Sequence, residues 1–224
     1  MEDGDAKLSE RRMSEWLSKR RCSVIERAEF DISIIKDKPI LWITGPAGAG
    51  KGTQCAKLNA RYGFTHLSSG ELMRHEVLEG TSRSKFLCEL MKNGNPVPNS
   101  MVIEVIAQAM VALAKESKGF VIDGFPLDEE QASEFVKEFG PPSLVLHIDC
   151  PARILRQRLQ ERNNYDDSKD TVENRLKLFK EVTKPMLEKY KATTINSNKD
   201  KDEVFGEIEA LLLKKLGLKV HSDE

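Results

Sequence analysis

Residues 45–54 constrain this chain more than any other stretch: they read Gly45-Pro-Ala-Gly48-Ala49-Gly50-Lys51-Gly52-Thr53-Gln54, directly after the apolar run Pro39-Ile-Leu-Trp-Ile-Thr44 and directly before the helical sequence 55–61. Strand, glycine-rich turn, lysine and helix in that order form the context of a phosphate-binding loop. Gly48 and Gly50 put no side chain between backbone N–H groups and phosphate oxygens. The helix N-terminus adds the positive end of its dipole, and Lys51 brings a full charge to the β and γ phosphates. Thr53 offers a hydroxyl suited to magnesium, although the strict pattern places Ser or Thr immediately after the lysine and here Gly52 intervenes. A dinucleotide fingerprint fits less well, because counting from Gly48 puts Thr53 where its third glycine belongs. A glycine-rich turn with no ligand is the bland alternative, and the lysine and preceding strand weigh against it.

Around this loop, further apolar runs at 119–123, 143–149 and 192–196 alternate with helical stretches at 99–116, 151–162, 168–190 and 202–216. Runs this apolar suit central strands covered on both faces. Pro151 suits a first helical position, and Leu176, Phe179, Thr183, Leu187 and Tyr190 recur at the helical period. Alternating strands and helices predict an α/β doubly wound parallel sheet, with ligands outside the carboxyl ends of the strands, after Thr44 and Ile122. Residues 1–37 differ in texture: Met13, Trp16, Leu17, Val24 and Ala28 approximate one helical face among many charges. Such a stripe packs on the chain's own core or docks a partner, and packing is its commoner use. Arg11-Arg12 and Lys19-Arg20-Arg21 read as a solvated face.

Composition excludes several classes. With 35 basic and 36 acidic side chains in 224 residues there is no charge excess for nucleic acid. No apolar run approaches the roughly 18 residues of a membrane span. Cys22, Cys55, Cys88 and Cys150 form no CxxC pair, which argues against a zinc or redox motif and for a reducing compartment. The acidic start, Met-Glu-Asp-Gly-Asp, is unlike a signal or transit peptide, so a cytoplasmic location is expected.

Three later segments carry a family resemblance: Thr65-His-Leu-Ser-Ser69-Gly-Glu-Leu-Met-Arg74, Asp123-Gly124-Phe-Pro-Leu127-Asp-Glu-Glu-Gln131, and Arg158-Leu-Gln-Glu-Arg162 with Arg175 beyond it. With the loop, they resemble the nucleoside monophosphate kinases, and short-lid cytosolic adenylate kinases most nearly, from about Pro39 to Leu216. The resemblance implies a five-stranded P-loop sheet with helices on both faces, a small monophosphate-binding insert over about 69–98 and a short lid over about 162–168. It divides the chain into an N-terminal extension (1–37), the kinase-like domain (38–219) and a tail (220–224). It implies ATP on Gly48, Ala49, Gly50, Lys51, Gly52, Thr53 and Arg162, and AMP on Ser69, Arg74, Val97, Gly124 and Gln131. The acceptor-pocket wall is Gly94-Asn-Pro-Val97-Pro98. Magnesium falls to Thr53, and through water to Asp123. Catalytic charge falls to Lys51, Arg158, Arg162 and Arg175, two of which, Arg158 and Arg162, share a helix face at their spacing of four.

Each site residue has a plainer reading as well. Ser69 reads as a helix N-cap, Asp123 as a cap or turn residue, the arginines as surface charge, and His66 as a structural histidine at a strand end. The segment 195–198 resembles the turn beside the ATP base, with Lys199 where the family often has glycine. Four departures stand out: the loop proline has moved to Pro46, Leu127 replaces an arginine, the lid is short, and it lacks the arginine before Asp166-Asp167. The expected activity is transfer of the γ-phosphoryl of magnesium ATP to AMP by a monomer, with no nucleic acid and no membrane involved. The alternatives are a catalytically weakened nucleotide-binding regulator or scaffold, favoured by those departures and the extension, and a UMP/CMP kinase, opposed by Gln131 and the spacing before Pro98.

Overall fold

The computed structural model describes residues 31–162 and 168–218, and of Arg162 only the backbone. The expected apolar stripe and basic patches before residue 31, Cys22, the lid residues 163–167 and the tail 220–224 lie outside the described residues.

The strands β1 (Ile40–Thr44), β2 (Phe64–Ser68), β3 (Gly119–Asp123), β4 (Leu144–Asp149) and β5 (Thr193–Asn196) form one parallel sheet in the order β2-β3-β1-β4-β5. From β1 the chain builds β2 and β3 on one side, then crosses to β4 and β5 on the other. The order therefore reverses at β1, where a doubly wound sheet opens its ligand crevice. Side-chain alternation along β1 explains the two layers. Ile40 and Trp42 enter a core with α4 (Asn99–Leu113), α5 (Glu129–Phe139) and α8 (Lys184–Lys189). Leu41 and Ile43 enter the opposite core with α1 (Lys51–Tyr62), α6 (Ala152–Arg162) and α9 (Lys201–Leu216). All five residues of β1 are buried, as a strand covered on both faces requires.

The insert between β2 and α4 consists of α2 (Ser69–Leu78) and α3 (Ser82–Lys92). Thr81 and Ser84 cap α3 reciprocally, each side chain accepting the other's backbone N–H. Ile35, in the short 3-10 turn Ile32–Ile35, is buried against the α4 core, so this end of the extension seats on the chain itself.

β2 and helices α2, α3 and α5 add to the elements read from periodicity, and β2 completes the expected five strands. Several expectations are corrected. β5 is an edge strand with Thr194 and Asn196 exposed, not a strand covered on both faces. Pro151 precedes its helix, its carbonyl accepting from Ile154 and Leu155. The stretch 168–190 is not one α-helix: α7 (Lys169–Leu178) passes into a π turn, Phe179–Thr183, before α8. Pro185 supplies the physical cause, because it has no N–H for the carbonyl four residues back, that of Glu181. The Lys184 N–H bonds instead to Phe179 O.

Trp42 stands at the centre of an aromatic cluster, with ring centroids 5.5 Å from Phe125, 5.6 Å from Phe135 and 5.4 Å from Tyr190. It is wholly buried and fixes the chain directly after β3. Trp42→Ala is expected to cost about 3–5 kcal/mol, the range for large buried aromatics. Denaturant unfolding would measure this, and a loss below about 1 kcal/mol would contradict the cluster's role.

Candidate active site

The loop after β1 is held in conformations that side chains oppose. Gly45 (φ 151°) passes so close to β4 that a Cβ there would lie 2.3 Å from the Ile148 carbonyl oxygen. At Gly48 (φ 83°) a Cβ would come within 2.9 Å of Leu155 O on α6. Gly50 (φ 90°) is the N-cap of α1 and offers no side-chain cap. The first N–H groups of an α-helix have no partner within the helix. At α1 the residues that carry them, Lys51, Gly52 and Thr53, line an open cleft of about 570 Å³, within the size range of small-molecule sites. Lys51 curls back over the loop, Nζ donating to Gly45 O at 3.0 Å and Pro46 O at 3.1 Å. Arg158, from α6, reaches Gly48 O (3.4 Å) and Ser197 O (3.3 Å), tying the loop to the turn after β5. Ala49 is buried below the loop, and Gly52 and Thr53 line the cleft.

At the cleft floor, β3 ends in Asp123, only 8% exposed, whose Oδ2 lies 3.4 Å from His66 Nε2 on β2. His66 thus sits within its strand and beside the site, where a strand-end structural residue was expected. Burial opposes its charged form, but the neighbouring Cys55 sulfur and Asp123 carboxylate outweigh this and raise its pKa well above the usual value. Burial pushes the Cys55 thiol up. The Ser69 reading as an N-cap is corrected: Ser68 caps α2 by accepting from Glu71 N–H. The Ser69 hydroxyl instead donates to the carbonyls of Asp123 (3.0 Å) and Gly124 (3.1 Å), joining α2 to the end of β3. Gly124 (φ 73°) leaves that hydroxyl room, since a Cβ would approach it to 3.1 Å.

The far side of the same cleft carries Arg74, Arg175, Gln131 and the loop Gly94–Val97. Gln131 is almost fully buried, its Oε1 accepting from Leu127 N–H (2.7 Å) and its Nε2 donating to Asn99 Oδ1 (3.0 Å). An amide so held keeps one N–H and one lone pair for a ligand. Leu127 lines the cleft together with Leu178 and Phe179, and Thr183 in the π turn donates to Leu127 O at 2.6 Å. The backbone of Arg162 ends α6, and its side chain lies outside what is described. The structure therefore brings together Gly48, Ala49, Gly50, Lys51, Gly52, Thr53, Ser69, Arg74, Val97, Asp123, Gly124, Gln131, Arg158 and Arg175. Among the further lining residues, Met73, Met91, Val102, Leu178 and Phe179 went unsingled because nothing separates a cleft-lining apolar residue from a core one in a sequence.

Comparison with known proteins agrees with this geometry. The family model for adenylate kinase matches residues 43–195. Adenylate kinase isoenzyme 1 of Cyprinus carpio is 43% identical over 179 residues, covering 76% of this chain and 92% of the carp protein. Adenylate kinase 1 of Drosophila melanogaster is 41% identical over 180 residues, covering 77% and 79%. Adenylate kinase isoenzyme 1 of Homo sapiens is 37% identical over 182 residues, covering 78% and 94%.

Because Gly48 combines a positive φ with contact to the α6 backbone, Gly48→Ala must displace either the loop or the helix. It is expected to weaken triphosphate binding by at least about tenfold, or about 1.4 kcal/mol. Calorimetric titration with ATP checks this, and unchanged affinity would contradict the loop geometry.

Proposed function

The chain belongs to the adenylate kinase family, and from that premise we infer that its cleft transfers the γ-phosphoryl group of ATP to AMP, giving two ADP. It is an enzyme of the nucleoside monophosphate kinase type. The observation that supports this reading best is the arrangement of one cleft with a bare, uncapped helix N-terminus and Lys51 at one end and Arg74, Val97 and Gln131 at the other.

In the proposed reaction an oxygen of the AMP phosphate attacks the γ-phosphorus, the bond to the β–γ bridging oxygen breaks, and its electron pair leaves on ADP. The attacking oxygen is already anionic, so no general base is needed, and catalysis rests on alignment and charge. The amides of 48–53 hold the β and γ phosphates. Lys51 exchanges its two loop carbonyls for phosphate oxygens. Arg158, Arg162 and Arg175 neutralise the charge spread over the moving group. On the acceptor side Arg74 grips the AMP phosphate, Ser69 and Gly124 form the floor beneath it, Val97 covers the base, and Gln131 reads it with its remaining N–H and lone pair.

The residues present fit magnesium. Thr53 and Asp123 offer only oxygen donors, and Gly52 keeps the Asp123 side open, a Cβ there coming no nearer than 3.6 Å to Oδ2. Thr53 would hold the ion and Asp123 its waters. Bound magnesium neutralises phosphate charge and fixes the triphosphate's shape.

The same reading assigns α2 and α3 to the monophosphate-binding part and 162–168 to the lid, in a monomeric cytoplasmic protein. Free thiols at Cys55, Cys88 and Cys150 suit a reducing compartment. No helix among the described residues is long and apolar enough to cross a membrane. The regulatory alternative draws its support from Leu127, the short lid and the N-terminal extension. The matched relatives are named adenylate kinases, and none of those compared is named for UMP or CMP.

Two measurements test this. Lys51→Ala is expected to lower kcat on the order of 10³-fold in a coupled assay of ADP formation from ATP and AMP. A variant that kept a tenth of wild-type turnover would overturn the role of Lys51. Leu127→Arg is expected to lower the KM for AMP about tenfold or more, since a hydrogen bond to a charged group contributes about 1.5–3 kcal/mol. An unchanged KM would show that residue 127 does not face the acceptor phosphate.

A further inference from the structure

Three donor atoms of different chemistry meet at the cleft floor: the Cys55 sulfur on α1, a His66 ring nitrogen on β2 and an Asp123 carboxylate oxygen on β3. They all lie within 4.8 Å of one another. We propose that these residues form an inhibitory zinc(II) site, distinct in donor set from the oxygen-only magnesium position and sharing with it only Asp123.

Geometry and donor type argue together. Sulfur, nitrogen and oxygen ligands bind zinc tetrahedrally at about 2.0–2.3 Å, which places donors roughly 3.3–3.8 Å apart. Oxygen Oδ2 of Asp123 and Nε2 of His66 already stand 3.4 Å apart, so this pair needs little movement. The donors come from three elements that the fold fixes independently: Cys55 is fully buried in the second turn of α1, and β2 and β3 are paired in parallel register with Ser68 opposite Asp123. Preformed donors on rigid elements lower the entropy cost of closing around an ion. Magnesium does not compete well here, because it prefers six oxygen ligands, whereas thiolate and imidazole select zinc. Bare Gly52 leaves room beside the Asp123 carboxylate, where a water completes the tetrahedron.

Binding displaces the Cys55 thiol proton and any proton on the His66 nitrogen that takes the metal, and releases them to solvent, with no change in oxidation state. It also takes up the Asp123 carboxylate that would otherwise hold the waters of magnesium. Zinc therefore slows phosphoryl transfer without occupying either nucleotide position. The binding claim stands apart from the proposed reaction, and only its inhibitory consequence rests on it.

The test uses the full chain, reduced and freed of metal, in buffer without thiol, phosphate or nucleotide. Cobalt(II) serves as the first probe. One equivalent is expected to give a thiolate-to-cobalt charge-transfer band that zinc(II) abolishes and excess magnesium does not. Cys55→Ser is expected to lose the band, while the double variant Cys22→Ser/Cys88→Ser keeps it. His66→Gln, read by zinc titration, is expected to bind at least about tenfold more weakly, the scale on which even outer partners of a metal matter. In the coupled assay, zinc is expected to inhibit the wild type at lower concentration than Cys55→Ser. Absence of the band in the wild type, its persistence in Cys55→Ser, or unaltered zinc affinity in His66→Gln each overturns the site. A clear band with no inhibition overturns the inhibitory role alone. An inactive protein that still shows the band leaves the zinc site standing and counts instead against the phosphotransfer reading.

Discussion

Everything in the cleft is referred to the contact between the Gly45–Gly50 loop and the two elements beneath it, β4 and α6. Gly45 lies against the Ile148 carbonyl and Gly48 against that of Leu155, at separations no Cβ tolerates. The loop is thereby pressed onto the end of the sheet with positive φ at Gly48 and Gly50, and α1 begins without a side-chain cap because Gly50 has none to offer. Helix α2, which follows β2 two positions from β1 in the sheet, shows the opposite solution, with Ser68 capping its first turn from within the protein. Of these two N-termini, one takes a side-chain cap from within the protein and the other takes none, which suits the second to an anion.

The loop, four of the five strands and most of the longer helices were legible because each rests on a short-range rule: apolar runs for strands buried on both faces, a 3.6-residue stripe for helices, glycines at a turn. β2 escaped because Phe64-Thr-His-Leu-Ser alternates and carries a histidine, so it was legible as a motif before it was legible as a strand. α2 was read only from its start at Ser69, and α3 was not read from periodicity, because an insert helix packed on a cleft has a weak stripe. The π turn could not be read from the period at all, since Phe179 and Thr183 fall on the apolar face whether the turn holds 3.6 residues or more. What Pro185 changes is the carbonyl pairing, and its consequence is tertiary: Thr183 is placed to bond the carbonyl of Leu127.

Site residues were legible to a different degree. Their identities followed from motifs, but their partners did not. Ser69 was assigned to AMP with capping as its plainer reading, whereas its hydroxyl stitches α2 to the end of β3, a contact across 54 positions that no local rule contains. Gln131 was assigned to the acceptor base, and the structure adds that half of its amide is already committed to Leu127 and Asn99. That commitment fixes the amide's rotamer and tells its donor end from its acceptor end, which is the condition for discriminating one base edge from another.

The charge distribution across the cleft follows from the same architecture. On the loop side, Lys51 and Arg158 both reach carbonyls, at Gly45, Pro46, Gly48 and Ser197, so each cation is held at the loop by weak acceptors that an anion readily replaces. On the acceptor side the wall between Gln131 and Arg175 is apolar, formed by Leu127, Leu178 and Phe179. A leucine there removes a full charge but also lowers the local dielectric around the arginines that remain, and Coulomb attraction strengthens as the medium becomes less polar. The two effects oppose one another at the acceptor phosphate. Loss of direct contact dominates while water reaches the cleft, and the apolar wall matters most once the nucleotides have displaced that water. On the proposed reading, the leucine at 127 therefore bears more heavily on capture of the acceptor than on the transfer step that follows.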